Sequence, residues 1–244
     1  SFLLQELYID GRLCRTWKDG SSRLKGYLED YAYLILGLIS LHELTFSHRW
    51  LYEAERLTEE MVRLFWDEEK KVLFDVGDDH ESLLLRPREL FDNAMASGNS
   101  IAAEALYRMA MITGNAEHLR KTKLLLESAI SFMKVYPLGF GHWLKVLTMY
   151  LSDNVEIAIV GQQYDDDLKA LVRVVATRFL SNRTFLGRLL DQEDDFPSPL
   201  LIGKDGKVGI PTAYLCHEYV CEEPTSDAST LLQQLEIRAT LPSE

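Results

Sequence analysis

After Asp30, residues 31–46 read YAYLILGLISLHELTF, with apolar side chains on almost every side of a helical wheel. A helix apolar all round must be buried on most of its surface. The next segment, WLYEAERLTEEMVRLFW, is different: Leu51, Ala54, Leu57, Met61 and Leu64 recur at spacings of three and four with Glu and Arg between them, the pattern of a helix with one buried face. Only Ser47, His48 and Arg49 separate the two. So short a link makes an antiparallel helical hairpin with an inner and an outer member.

That grammar repeats. A long irregular stretch, DEEKKVLFDVGDDHESLLLRPREL, leads to a second inner helix of small and apolar residues over 97–113. Gly114 and Asn115 supply the turn, and EHLRKTKLLLESAISFMKV the outer partner, which ends before Pro137. Residues 139–151, GFGHWLKVLTMYL, read as a third inner helix. Inner and outer helices that alternate, with short turns on one side and long polar loops on the other, predict hairpins arranged around an axis. The character changes after Ser152. EIAIVG reads as a buried strand, DDDLKALVRVVATRFL as a helix and RTFLGRLL as a strand, a βαβ-like unit. A loop with Pro197 and Pro199, the extended run PTAYLCHEYVC and a closing helix around ASTLLQQLEI complete it. The expected fold is therefore mainly α, with helical hairpins over 1–152 and a small α/β subdomain over 153–244.

The formal charge of −12, from 38 acidic and 26 basic residues, argues against a surface that tracks nucleic-acid phosphates. No apolar run approaches the ~18 residues that span a bilayer, and the first residues lack a basic segment followed by an apolar core. A cytoplasmic protein is expected, and three cysteines suit a reducing compartment better than a disulfide framework. The chain opens on Ser, and FLLQELYIDGRL reads like the end of a helix entering a turn, so a piece of something longer is expected.

The candidate site is RPRELFDNAMASGNS, residues 86–100, where Arg86, Arg88, Glu89, Asp92, Asn93, Ser97 and Asn99 crowd the entrance of an apolar helix. Convergent carboxylates, amides and a hydroxyl are how sites for polyhydroxylated ligands are built. Glycoside hydrolysis needs one protonated and one ionised carboxylate across a sugar ring. Asp30, Glu89 and Asp92 are the candidates, with Asp30 and Asp92 each opening an inner helix. Both would equally serve as helix N-caps. Arg86 and Arg88 either clamp an anionic ligand or pair Glu89 and Asp92, and pairing is preferred. Ser97 and Asn99 either touch ligand or pack the helix entrance. Trp17 and Tyr31, with Asp19 and Tyr27 nearby, offer faces on which a sugar ring could stack, although such aromatics also build cores. The Trp-Lys-Asp-Gly run reads equally as a turn.

The histidines are scattered and no metal site or cofactor is expected. On one continuous strand Cys216 and Cys221 point to opposite faces, so buried thiols are expected there rather than a disulfide, unless a bulge or turn intervenes. The aspartates of VGQQYDDDL repel an anion and suit the positive end of a helix dipole instead.

LEDYAYLILGLISLHELTFSHRWLYEA, LFWDEEKKVLFDV, RPRELFDNAMASGNSIAAEALYRMA, EIAIVG and AYLCHEYVCEEPTSD, in that order, resemble motifs of the thioredoxin-domain YyaL-like family, the spermatogenesis-associated protein 20 group. The resemblance implies an (α/α)6 toroid similar to six-hairpin glycosidases, preceded in family members by a thioredoxin-like domain. It implies here a partial toroid, the C-terminal half, lacking that first domain. Two functions are expected from these readings: a carbohydrate-active toroid, glycoside hydrolase-like or sugar-binding, or a non-catalytic scaffold serving a thioredoxin-like domain. A partial toroid further implies self-association or a separately encoded first half.

Overall fold

A computed structural model describes residues 2–81, 85–193, 195–206, 209–218 and 220–240. After a short helical segment, Leu3–Leu7, come β1 (Tyr8–Ile9), β2 (Arg12–Lys18) and β3 (Ser21–Lys25). Helices α1 (Leu28–Thr45) and α2 (Arg49–Phe65) follow, then β4 (Trp66–Asp67) and β5 (Val72–Leu73). Three more helices are α3 (Gly98–Thr113), α4 (Ala116–Val135) and α5 (Gly141–Leu151). The tail holds β6 (Val155–Gly161), α6 (Asp166–Ala176), β7 (Arg183–Leu189), β8 (Thr212–His217), β9 (Val220–Cys221) and α7 (Ala228–Thr240).

The chain divides into two compact units interleaved in sequence. The first takes residues 1–37, 53–109 and 116–147; the second takes 38–52, 110–115 and 148–244. The tail is thus joined by the turn between α1 and α2 and the turn between α3 and α4.

In the first unit β1, β2 and β3 form an antiparallel meander where the sequence predicts a helix end and a turn. Two Asp-Gly pairs build it. Asp10 and Gly11, then Asp19 and Gly20, all take positive φ, and two-residue turns of that kind match the twist of paired strands. Within the Trp-Lys-Asp-Gly run, Asp19 and Gly20 are a turn and Trp17 and Lys18 are the end of β2. Tyr31, Ala32 and Ile35 on α1 and Ala54, Leu57, Met61 and Leu64 on α2 are buried, as their spacing predicts. On α3 every residue from Ile101 to Ala110 is buried except half-buried Arg108, the expected inner helix. Helix α1 is less enclosed than its composition implied: Gly37, Leu41 and Leu44 form an exposed stripe, with Leu44 65% exposed.

In the second unit the sheet order is β7-β6-β8-β9, with β6 parallel to β7 across α6 and antiparallel to β8. Residues 156–160 of β6 are buried on both faces, so the run is apolar rather than alternating. The core is built from Ile157 and Ile159, Leu168, Leu171 and Val175 of α6, Phe185, Leu215, and Leu231 and Leu235 of α7, with Phe46 from the α1–α2 turn. Asp165 caps α6 by accepting the Leu168 N–H at 2.9 Å, so the aspartate run serves the helix.

One expectation is corrected here. Cys216 and Cys221 form a disulfide, because β8 and β9 are the arms of a hairpin rather than one strand. The turn places the two residues directly opposite each other, and the parity argument for a continuous strand does not apply.

Candidate functional site

The carboxylate of Asp92 holds together the starts of two helices in the first unit. Its Oδ1 accepts the Ser97 N–H at 2.9 Å and the Ser100 hydroxyl at 2.7 Å, at the entrance of α3. Its Oδ2 accepts the His142 N–H at 2.8 Å and the Trp143 N–H at 3.4 Å, in the first turn of α5. With both oxygens occupied in this way, Asp92 satisfies amides that helix ends leave free. It is not among the residues that line the cavity described next.

That cavity, of about 320 Å3, opens beside the polar strap of residues 89–98. Its acidic wall is Glu29, Asp75 and Glu89, its aromatic edges are Tyr27 and Phe91, and Asn93 and Ser97 add polar atoms. Gly98 brings the two helix entrances together, since a Cβ there would stand 3.2 Å from the Glu29 backbone nitrogen. An apolar chamber of about 530 Å3 adjoins it, lined by Leu3, Leu7, Leu13, Leu34 and Tyr33, with Arg15 and Asp30. Glu29 and Met95 belong to both linings and separate the two spaces.

Asp75 is the acid that sequence reasoning missed. It stands between Phe74 and Val76 after β5, in a stretch that sequence alone marks only as irregular. The Glu89 N–H donates to its Oδ2 at 2.7 Å and Asn99 Nδ2 to its Oδ1 at 3.0 Å. Burial raises its pKa to about 6. The charges of Glu89 and Glu29 push the same way, against those two hydrogen bonds. Near neutral pH this one carboxyl exchanges its proton, which is what a general acid needs.

The other candidates fall into three groups. Glu89, Asn93 and Ser97 line the acidic cavity. Glu89 Oε1 also accepts the Phe91 N–H at 2.8 Å. Asp30 instead faces the apolar chamber, where its Oδ2 accepts the Tyr27 N–H at 2.8 Å and Arg15 Nη1 at 3.1 Å. It sits inside α1, not before it, and reaches back to the amide of the residue preceding the helix, in the manner of a capping box. Burial raises its pKa. Asn99, fully buried, stands behind the cavity, donating to Asp75 and to the Glu89 carbonyl at 3.1 Å.

The remaining four lie elsewhere. Arg86 donates to the carbonyls of Val76 at 2.6 Å and Leu64 at 3.3 Å, with its guanidinium over the Phe74 ring, so it ties the loop and pairs neither Glu89 nor Asp92. Arg88 likewise donates to the Ser128 hydroxyl at 2.6 Å. Tyr31 is fully buried; its hydroxyl donates to Glu60 at 2.6 Å and accepts from Arg12 and the Leu13 N–H. Trp17 projects from β2 against Phe2, with ring centroids 5.4 Å apart, away from both spaces. Tyr27 and Phe91 are the aromatics at the cavity.

His142 has an acidic partner that spacing did not show. Its Nε2 stands 2.7 Å from Glu104 Oε2 on α3, and Lys145 Nζ is 2.8 Å from the same oxygen. Burial would raise the Glu104 pKa, but the hydrogen bonds from His142 and Lys145, with the Lys145 charge, prevail and hold it at about 2. Among the described residues no group of three or more His, Cys, Asp or Glu side chains is arranged to hold a metal ion, and no helix is long and apolar enough to cross a membrane.

No family model matches the chain. It is similar to spermatogenesis-associated protein 20 of Homo sapiens, at 29% identity over 96% of this chain and 31% of that protein. The rat protein of the same name is 28% identical over 86% of this chain. An uncharacterized protein of Caenorhabditis elegans is 22% identical over 90% of it. The chain spans less than a third of the length of these relatives.

Proposed function

We propose that the first unit belongs to an (α/α)6-type toroid and that its acid-walled cavity binds a neutral, polyhydroxylated ligand, with glycoside hydrolysis as the reaction it is equipped to perform. The observation that carries this reading is Asp75, a carboxyl poised near pH 6 that lines the same cavity as Glu89, Glu29, Tyr27 and Phe91. Three carboxylates at one cavity disfavour an anionic ligand, and the guanidinium groups nearby are engaged: Arg15 pairs Glu29 at 2.7 Å, and Arg88, whose charge reaches Asp75, donates to the Ser128 hydroxyl at 2.6 Å.

In this scheme Asp75 gives its proton to the glycosidic oxygen as the bond from that oxygen to the anomeric carbon breaks. Glu89 accepts a proton from the water that attacks the anomeric carbon, so one water is consumed and two hydroxyls are formed. Glu29, ionised, stabilises the cationic charge that develops on the sugar. Asp92 has a positioning role, holding the strap that carries Glu89. The stripe of Gly37, Leu41 and Leu44 is where further hairpins of the toroid, or a second copy, would pack.

A scaffold serving a thioredoxin-like domain is the second reading, favoured by the way Asp92 and Asn99 spend their hydrogen bonds on neighbouring chain. Hydrolysis of aryl glycosides and of a glycan panel, with Asp75→Asn and Glu89→Gln as controls, separates the two. Turnover that both substitutions abolish supports the enzyme. Absence of both turnover and binding across the panel leaves the scaffold.

A further inference from the structure

Phe91 forms the edge of the acidic cavity, yet it remains 43% exposed. Its ring centroid lies 6.0 Å from that of Tyr136, itself 51% exposed, in the loop between α4 and α5. Both rings rest on Gly139: a Cβ there would stand 2.7 Å from Tyr136 Cδ1 and 2.9 Å from Phe91 Cδ1, so only glycine lets them close over the backbone. The Asp92 N–H donates to the Gly139 carbonyl at 2.8 Å, which fastens the strap carrying Phe91 to the loop carrying Tyr136. Phe140, fully buried, backs the Phe91 ring at 5.0 Å. The outcome is a fixed aromatic shelf, open to solvent, that begins where the acidic wall ends.

We propose that this shelf is a second ring-binding position continuous with the cavity, and that the ligand is an uncharged oligosaccharide of two or more pyranose units. The inference rests on the reading of the cavity as a sugar site. Its own support is the shelf. A pyranose ring presents a face of C–H groups that packs on an aromatic face, and rigid rings lose little entropy on binding it. The shelf offers no charged side chain, whereas the cavity beside it supplies carboxylates for hydroxyl groups. A unit held at Glu89 would pass its neighbour to Phe91, because the Glu89 carboxylate accepts the Phe91 backbone N–H and so sits beside the residue that carries the ring.

The test is calorimetric titration with cello-, malto-, xylo- and chito-oligosaccharides of one to four units. Affinity is expected to rise about fivefold to tenfold between one unit and three in at least one series, the size of an aromatic stacking contribution. Tyr136→Ala should erase that increment while leaving monosaccharide affinity unchanged, and Tyr136→Phe should retain it. Tyr136 is exposed, and the far-UV spectrum of each variant checks that the fold is kept. Equal affinity at every chain length, or an increment indifferent to Tyr136→Ala, overturns the shelf while leaving the cavity reading in place. Failure of every series, single units included, overturns both.

Discussion

The ring of Phe46 occupies the space that a side chain at Gly187 would need: a Cβ built there would stand 2.0 Å from a Phe46 ring carbon. Gly187 lies on β7, at the edge of the four-stranded sheet, and both of its outward polar groups are used. Its N–H donates to His42 Nε2 at 3.2 Å, and His48 Nε2 donates to its carbonyl at 2.9 Å. The sheet edge is thus closed by the turn between α1 and α2. Gly187→Ala forces the ring or the strand to move, and overpacking of this kind costs about 1–3 kcal/mol. Urea unfolding should show a lower midpoint with an unchanged slope. An unaltered midpoint would mean the turn does not seat on β7.

His42 makes the same contact sensitive to acid. Burial, with the nearby His48, lowers its pKa from 6.5 to about 3, so the ring is neutral in the fold. A depressed value means that stability is fully present above 6.5 and declines as pH falls from there towards 3. Replacing His42 with Gln supplies an acceptor and a donor that do not titrate. The pH dependence of stability in that window should flatten in His42→Gln, as read from thermal midpoints at half-unit steps.

The hairpins and the βαβ unit were legible because their signals are local: apolar residues every three or four positions, an apolar strand, a Gly at a helix end. The meander was equally local, in Asp10-Gly11 and Asp19-Gly20, but the longer apolar pattern of FLLQELY obscured it. The site was half legible. Glu89, Asn93 and Ser97 share one strap and reach the cavity together. Asp75 does not, since its importance comes from burial and from Glu89 and Asn99, residues 14 and 24 positions away. Tyr31 and Trp17 have the chemistry of ring-binding residues, and only their burial and direction tell them from Tyr27 and Phe91. Pairs such as Glu104 with His142 bridge different helices, which no motif spacing encodes.

Two aspartates of the site should respond differently to the same substitution. Asp92→Asn exchanges an acceptor for an NH2 group that must face either the Ser97 and Ser100 donors or the His142 and Trp143 amides. Leaving such donors unsatisfied costs roughly 1–3 kcal/mol, so this variant should lose stability with little direct effect on bound sugar. Asp75→Asn removes a charge that burial already opposes. Its new NH2 group must likewise face the Glu89 N–H or Asn99 Nδ2, but relief of the buried charge offsets that loss, so it should cost less stability than Asp92→Asn and, under the proposed reaction, reduce hydrolysis by about 10²–10⁴-fold. Chemical denaturation and turnover measured on both variants check the pair, and equal effects on both quantities would remove the division of roles.

The disulfide makes a count. The chain has three cysteines, of which Cys14 is free, so alkylation of unreduced, denatured protein should label one thiol, and three after reduction. The bridge closes a small loop. Loop-closure entropy gives about 2 kcal/mol for so short a span, and Cys221→Ser should lose about that much stability, read as a thermal midpoint lower by roughly 4–8 °C. Three labelled thiols before reduction would restore the reading of buried thiols at Cys216 and Cys221.

Glu104 provides the acid-sensitive link inside the first unit. Its side chain is almost fully buried on α3, and the groups that hold it ionised, His142 and Lys145, come from α5. With a folded pKa of about 2 against an ordinary 4.5, the contribution is complete above 4.5 and is lost as pH falls towards 2. Glu104→Gln loses the charged hydrogen bonds while half-exposed Lys145 returns to water, so it should destabilise at pH 7 by roughly 1–3 kcal/mol. The deficit should shrink on acidification, because the wild-type carboxyl is then protonated as well. A deficit that stays constant from pH 7 to pH 3 would mean that packing, not charge, joins α3 to α5 at this point.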